Sequence, residues 1–572
     1  MAEVVSPAGI LPHIPDDLTL AQFILDAEHV RKPVRKSDAW IVDDQSGRKI
    51  GLEELRARTY GLANALSIRY NIQEDHVVLI YSPNHVDYLV AAWAAHRLGA
   101  AVSGANPLFT VDELVYQINS VKAAVIITHP DSLNVALASA HAAGVPADRV
   151  ILFDVEGVTT QRVTVQVLIS QGLASVPNFT ERKLAPGEGK TKVAFLNFSS
   201  GTTGRPKVSA PLQYPTTRRI ANVIQLATHH KVGEDYAGQR FKPGDVCCAV
   251  LPLYHIYGLV FNSHYAFFCG MTVVLTAKYN FLEFLKSIIR HRITHLMLVP
   301  PHIVLLCKHP AVRSYDFSHV RYITSGAAPL SREVMEQLVQ IFPNADLGQS
   351  YGLTESCTVI STWAVDKRCD LSGGAGQLLP GIIGRVEKPD GTLADFDEPG
   401  ELVVKTQAVA LGYANNLEAT KETFVNGWLR TGDEVKMNRR GEIVVLDRLK
   451  EMLKVRGFQV APAELEGCIL DHPDVTDTCV VGIQDEYSGE LPLAFVVLRP
   501  EAAKRVEESP QAADEIKASI MKHVVDNKVG YKKLAGGVEF IDVVPKNPSG
   551  KLLRRVLRDK AREMRTKPRA KL

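Results

Sequence analysis

A short apolar run, Val193-Ala194-Phe195-Leu196, gives way abruptly to small hydroxylated residues and glycine, so that Phe195 to Lys207 reads FLNFSSGTTGRPK. The apolar run predicts a buried strand, and the change of character predicts a tight loop at its end. Gly201 and Gly204 let backbone N–H groups close on an anion, Ser199, Ser200, Thr202 and Thr203 add hydroxyl donors, and Lys207 adds a positive charge. Together these groups suit a polyphosphate.

At 572 residues the chain is too long for a single core, so two or more domains are expected. A helical pattern over Leu52 to Tyr70 precedes the strand-like runs Val77 to Tyr81, Val125 to His129 (VIITH) and Val150 to Phe153 (VILF). Helical or loop sequence separates these runs, which predicts a doubly wound α/β sheet. The balance of 65 basic and 63 acidic residues, net +2, leaves no footprint for nucleic acid. The eight cysteines are scattered without CxxC spacing and read as buried thiols of a reducing compartment. The N-terminal sequence carries no secretory signal, and the longest apolar stretch, about Tyr265 to Ala277, is broken by Gly270, so no membrane span is expected.

The spacing around Lys207 does not suit a Walker A loop. SSGTTGRPK instead resembles the signature of the acyl-adenylate-forming superfamily, which includes acyl-CoA synthetases, 4-coumarate ligases, luciferases and peptide-synthetase adenylation domains. Further along, GQSYGLTES (348 to 356) offers Tyr351 as an aromatic face for adenine, Gln349 for a ligand edge, and Ser350, Gly352 and Thr354 beside the phosphates. Glu355 is the carboxylate chosen to ligate magnesium. Asp433 is expected in an exposed Thr-Gly-Asp turn, where a carboxylate can accept from a ribose diol, with Arg448 at the end of a strand beside it. The sequence departs from the family after Lys207, where Val208 stands in place of glycine and no histidine follows before His229.

The resemblance implies an acyl pocket walled by Tyr254, His255 and Tyr257 of LPLYHIYG, which reads as a strand running into an exposed loop. Thr324, Gly326, Ala327 and Val359 complete the pocket; Gly326 and its small neighbours let a flat ligand lie against backbone. Thr324 stands where 4-coumarate ligases commonly carry lysine. Lys278, Arg456 and Gly457 are implied CoA contacts, with Lys278 readable equally as a surface lysine. Lys454 and Gln459 join the nucleotide set. DRLKEMLKVRGFQVAPAELE (447 to 466) places the implied hinge at Lys450, between an N-terminal domain over 1–449, built of doubly wound sheets and a small β-unit, and a mobile α/β C-terminal domain over 450–572. VVPKNPSGKLLRR places Lys551, the implied catalytic lysine, in a flexible loop of that second domain.

The implied activity is an ATP-dependent acid–CoA ligase that activates an aryl or medium-chain acid as acyl-AMP, with ATP, magnesium and CoA as the small molecules required. Three other readings stay open: a luciferase-like oxygenase, a carrier-protein adenylation enzyme, and an inactive nucleotide-binding protein. The terminal Ala570-Lys571-Leu572 resembles a peroxisomal address read by an import receptor; without it a cytoplasmic location is expected.

Overall fold

The computed structural model describes residues 3–198, 212–234, 238–330, 332–414, 416–448, 451–455, 458–485, 489–528, 530–546 and 552–566. Ser199 to Lys207, Lys450, Arg456, Gly457, Lys551 and the terminal Ala-Lys-Leu lie outside the described residues, as do the side chains of Lys454 and Gln459.

Helix α1 (Leu52–Tyr70) lies where its pattern predicts and is closed by Asn71 in the left-handed conformation, φ 51°. Five strands then pair in parallel: β1 (Val77–Tyr81), β2 (Ala101–Ala105), β3 (Ala123–Thr128), β4 (Val150–Leu152) and β5 (Val193–Asn197), in the spatial order β5-β2-β1-β3-β4. Every residue of β1 is buried, as a continuous apolar run requires when both faces of a parallel sheet are covered. β6 (Leu212–Pro215) and the short strand Gly412–Tyr413 extend the β5 edge antiparallel. The chain then forms α2 (Thr216–His229).

A second sheet contains the parallel strands β7 (Val246–Ala249), β8 (Thr272–Leu275), β9 (His295–Leu298), β10 (Tyr322–Ser325) and β11 (Asp346–Leu353), ordered β8-β7-β9-β10-β11. The prolines after β9 start α3 (Pro300–Lys308), and α4 (Arg332–Ile341) follows β10. Beyond β11 the sheet continues antiparallel through β12 (Thr358–Thr362) into the small β-unit, which includes β13 (Trp428–Met437) and β14 (Glu442–Arg448).

Asn84, just after β1, joins the two sheets. Its amide nitrogen donates to the carbonyls of Ala249 (3.2 Å), Leu251 (3.0 Å) and Thr276 (3.2 Å), and its oxygen accepts from the N–H of Leu253 (2.8 Å). The chain turning away from β7 is thereby held against the first sheet.

The large hydrophobic core runs to Ile443, and separate clusters begin at Leu453. These belong to a third sheet of β15 (Leu453–Val455), β16 (Phe458–Val460), β17 (Val475–Asp485), β18 (Gly489–Leu498) and β19 (Gly537–Phe540). Packed with it are α5 (Pro462–Leu470), α6 (Pro510–Asn527) and α7 (Arg554–Thr566). Among the described residues no helix is long and apolar enough to cross a membrane, and the eight cysteines form no disulfide.

Candidate active site

β7, β10 and β11 carry the acyl and nucleotide motifs at or just beyond their carboxyl ends, on one edge of a parallel sheet, where α/β proteins place their ligands. After β7, Tyr254 and His255 are half-buried, while Tyr257 is only 6 % exposed. The exposed loop expected there is thus corrected at Tyr257. From that residue the chain coils into a π-helical run, Tyr257–Tyr265, which turns Tyr257, Phe261 and Tyr265 to one side. Their rings stack in succession at 5.8 and 5.2 Å between centroids, so aromatic packing draws Tyr257 into the core. His255 Nδ1 accepts the backbone N–H of Tyr257 at 3.3 Å.

The turn after β10 closes over Tyr257. A Cβ on Gly326 would lie 2.9 Å from the Tyr257 ring, so the absence of a side chain there is a packing requirement. Ala327 next to it adopts φ 71°, a left-handed backbone uncommon for alanine. Thr324 is fully buried; its hydroxyl lies 3.1 Å from that of Ser350, which also donates to Thr362 at 2.9 Å. Val359, buried on β12, uses its carbonyl to accept from Asn222 at 2.9 Å.

Gln349 is engaged differently from the expectation of a ligand contact. Its side-chain oxygen accepts the N–H of Leu330 at 2.7 Å and its nitrogen donates to the Leu330 carbonyl at 3.1 Å, so the amide fixes the 326–330 turn to β11. Two positions on, the Tyr351 phenol donates to Asp433 Oδ2 at 2.6 Å, and Arg448 Nε lies 3.4 Å from Asp433 Oδ1. Asp433 is buried at 3 % exposure inside β13, opposite Arg448 of β14 in the ladder, which corrects the exposed turn expected for it. The Thr-Gly-Asp sequence has turn composition, but Gly432 takes φ 70° within a strand whose register shifts nearby. Burial, and then the Asp433 charge, push the Tyr351 phenol well above its ordinary range, so it remains a donor at neutral pH.

Gly352 follows a register shift in the β11–β12 hairpin, and Thr354 and Glu355 sit in the turn that joins the two strands. The phenol of Tyr413, from the short strand at the edge of the first sheet, donates to Glu355 Oε1 at 2.9 Å. Lys278 is exposed in a bend after β8. Asn84, Asn222 and Tyr413 also organise this rim. Sequence reasoning did not select them, because each works through partners more than 50 residues away.

Residues 30–414 match the model of the AMP-binding enzyme family. The chain belongs to that family. Residues 464–551 match its companion, the AMP-binding enzyme C-terminal domain. Over 560 residues, covering 96% of this chain and 95% of the relative, the sequence is 33% identical to 4-coumarate–CoA ligase 5 of Oryza sativa subsp. japonica. The ATP-bound structure of MatB from Rhodopseudomonas palustris superposes with a TM-score of 0.80 at 25% identity, covering 96% of this chain and 99% of that one. The anthranilate CoA ligase AuaEII in complex with anthranoyl-AMP shares the fold, with a TM-score of 0.80 at 21% identity over 96% and 98% of the two chains. This AMP-binding enzyme has the fold of adenylate-forming CoA ligases.

Proposed function

We propose that the protein is an ATP-dependent acid–CoA ligase acting on an aryl or medium-chain carboxylic acid, in two steps. A carboxylate oxygen of the acid attacks the α-phosphorus of ATP, the bond to the β-phosphate oxygen breaks, and pyrophosphate leaves with that electron pair. The thiolate of CoA then attacks the acyl carbonyl, the thioester forms, and AMP departs as the leaving group.

One observation carries this reading: Tyr351, Asp433 and Arg448 are joined side chain to side chain on the same sheet whose next strand ends in the turn where Gly326 packs against the Tyr257 ring. The buried Asp433 carboxylate suits a diol and the Tyr351 ring an adenine, and the aromatic and small residues around Tyr257 and Gly326 would suit a planar or slender acid. His255, in the segment between β7 and Tyr257, would hold the reacting carboxylate in line in the same reading. Lys551 and the hydroxyls of the 199–204 loop are assigned the charge that develops on phosphate and carboxylate oxygens. Rotation of the C-terminal domain about Lys450 would withdraw Lys551 and bring Arg456 and Gly457 to the pantetheine of CoA, with Lys278 near its phosphates. Lys454 and Gln459 belong to the nucleotide set in the same reading.

Glu355, in the turn after β11, would be the protein carboxylate that meets magnesium. A hard oxygen ligand combined with substrate phosphates suits that ion, which would neutralise charge on the polyphosphate. For a chain ending in Ala570-Lys571-Leu572, import into peroxisomes through a receptor that reads the tail belongs to the same proposal.

The test is a pyrophosphate-release screen of cinnamic, phenylacetic, benzoic and fatty acids with ATP, magnesium and CoA. Lys551→Ala is expected to abolish acyl-AMP formation and to retain thioester formation from supplied acyl-AMP. Acyl-AMP that is not converted to a thioester when CoA is added, or a long-chain acid as the best substrate, would overturn the assignment.

A further inference from the structure

Lys308 ends α3, in the part of the chain that precedes residue 450, and its ammonium reaches across to the part that follows. Nζ donates to the carbonyl of Leu470 at 3.2 Å and to that of Val475 at 3.3 Å. Leu470 is the last residue of α5, and Val475 is the first of β17. The final carbonyls of a helix have no partner within it and carry the negative end of its dipole, so a cation placed there is held by both hydrogen bonding and charge. Lysines near a helix end commonly serve their own helix. Here the capping lysine comes from the opposite side of the implied hinge.

Other charged groups make this contact specific. Lys308 is half-buried; burial and then Arg499 disfavour its charge, while Asp471 and Asp477 support it. Asp471, directly after α5, is faced in turn by Glu333 of α4, by His523 of α6, by Lys528, and by Lys308 itself. The Glu333–Asp471 pair is repulsive and both residues are exposed, so solvent screens it. The half-buried ammonium is screened less and dominates the contact.

We propose that Lys308 is a positioning residue that latches the C-terminal unit in this arrangement and thereby sets the balance between the two half-reactions. The inference rests on the two-step ligase reading above. An enzyme that uses one arrangement for adenylation and another for thioester formation is slowed in one step and favoured in the other when a latch specific to one arrangement is lost.

The experiment compares the full-length wild type with Lys308→Met, which keeps the aliphatic stem and removes the charge, and with Lys308→Arg, which keeps a donor. Three quantities are read: ATP–pyrophosphate exchange, single-turnover thioester formation from supplied acyl-AMP, and the distance distribution between fluorophores placed on either side of residue 450. Lys308→Met is expected to change the ratio of the two half-reaction rates by about fivefold to tenfold, the scale of a hydrogen-bonded charge, and to shift the distances. Its melting temperature should stay close to that of the wild type, and Lys308→Arg should restore much of the ratio. Equal loss of both half-reactions, or an unchanged ratio, would overturn the proposal. If the wild type catalyses neither half-reaction, the ligase reading fails; the distances then decide the latch by themselves, an unshifted distribution in Lys308→Met refuting it.

Discussion

Tyr351 and Asp433 meet at 2.6 Å from strands that are not neighbours in their sheet and lie 82 residues apart in sequence. The short bond ties the phenol to one carboxylate oxygen, while Arg448 approaches the other.

Tyr351→Phe keeps the ring and removes this bond alone. The expected result is a rise of about tenfold in the KM for ATP with little change in kcat, because the loss falls on binding that ground state and transition state share. Asp433→Ala leaves a buried phenol and a guanidinium without their carboxylate, and kcat/KM for ATP should fall by about a hundredfold or more. Steady-state pyrophosphate release with ATP varied checks both; an unaltered KM in Tyr351→Phe would remove the trio from the nucleotide site.

Gly326 is the second target. A Cβ at this position would stand 2.9 Å from the Tyr257 ring, which is itself held in the Phe261–Tyr265 stack and has little freedom to retreat. Gly326→Ala is therefore expected to lower kcat/KM for ring-bearing acids by about tenfold, and for slender aliphatic acids by less. A uniform loss over both classes, measured by competition between the two acids, would argue against Gly326 as a pocket wall.

Asn84→Ala tests the joint between the sheets. Three carbonyls lose a shared donor and the Leu253 N–H loses its acceptor, all at a site where Asn84 is only 4 % exposed. A stability loss of about 2–4 kcal/mol is expected from denaturant unfolding of the N-terminal part. A loss below about 0.5 kcal/mol would show that the joint is made elsewhere.

The helix around Leu52 to Tyr70 and the strand Val77–Tyr81 were legible in the sequence, because continuous or periodic apolar patterning decides them. The parallel strands before each motif were legible for the same reason. Asp433 was misread because composition cannot distinguish a turn from a strand that carries a glycine at positive φ. Gln349 was read as facing the ligand because its partner, Leu330, is fixed only by the folded turn. Tyr413 gave no local signal at all: its meeting with Glu355 depends on the short strand that closes the edge of the first sheet.

Acid stability follows from buried histidines. Desolvation lowers His96 and His229 to about 4 and His264 to about 3. The unfolded chain takes up these protons at about pH 6.5, before the folded one does, so their stabilising contribution is complete above that value and is lost as pH falls toward about 4. The melting temperature should be nearly level between about pH 7 and 8 and decline steadily below about pH 6. A scan by differential fluorimetry that stays level to about pH 4.5 would contradict the neutral burial of these rings.

The double hydrogen bond between Gln349 and Leu330 ties the 326–330 turn to β11, and on the proposed reading these are the floor of the acid site and the adenine-facing strand. Selectivity for the acid and affinity for the nucleotide are therefore not separate dials. Laboratory evolution toward a new acid through residues 326 to 330 should bring drift in ATP usage with it, and second-round compensating changes should collect along 349 to 351.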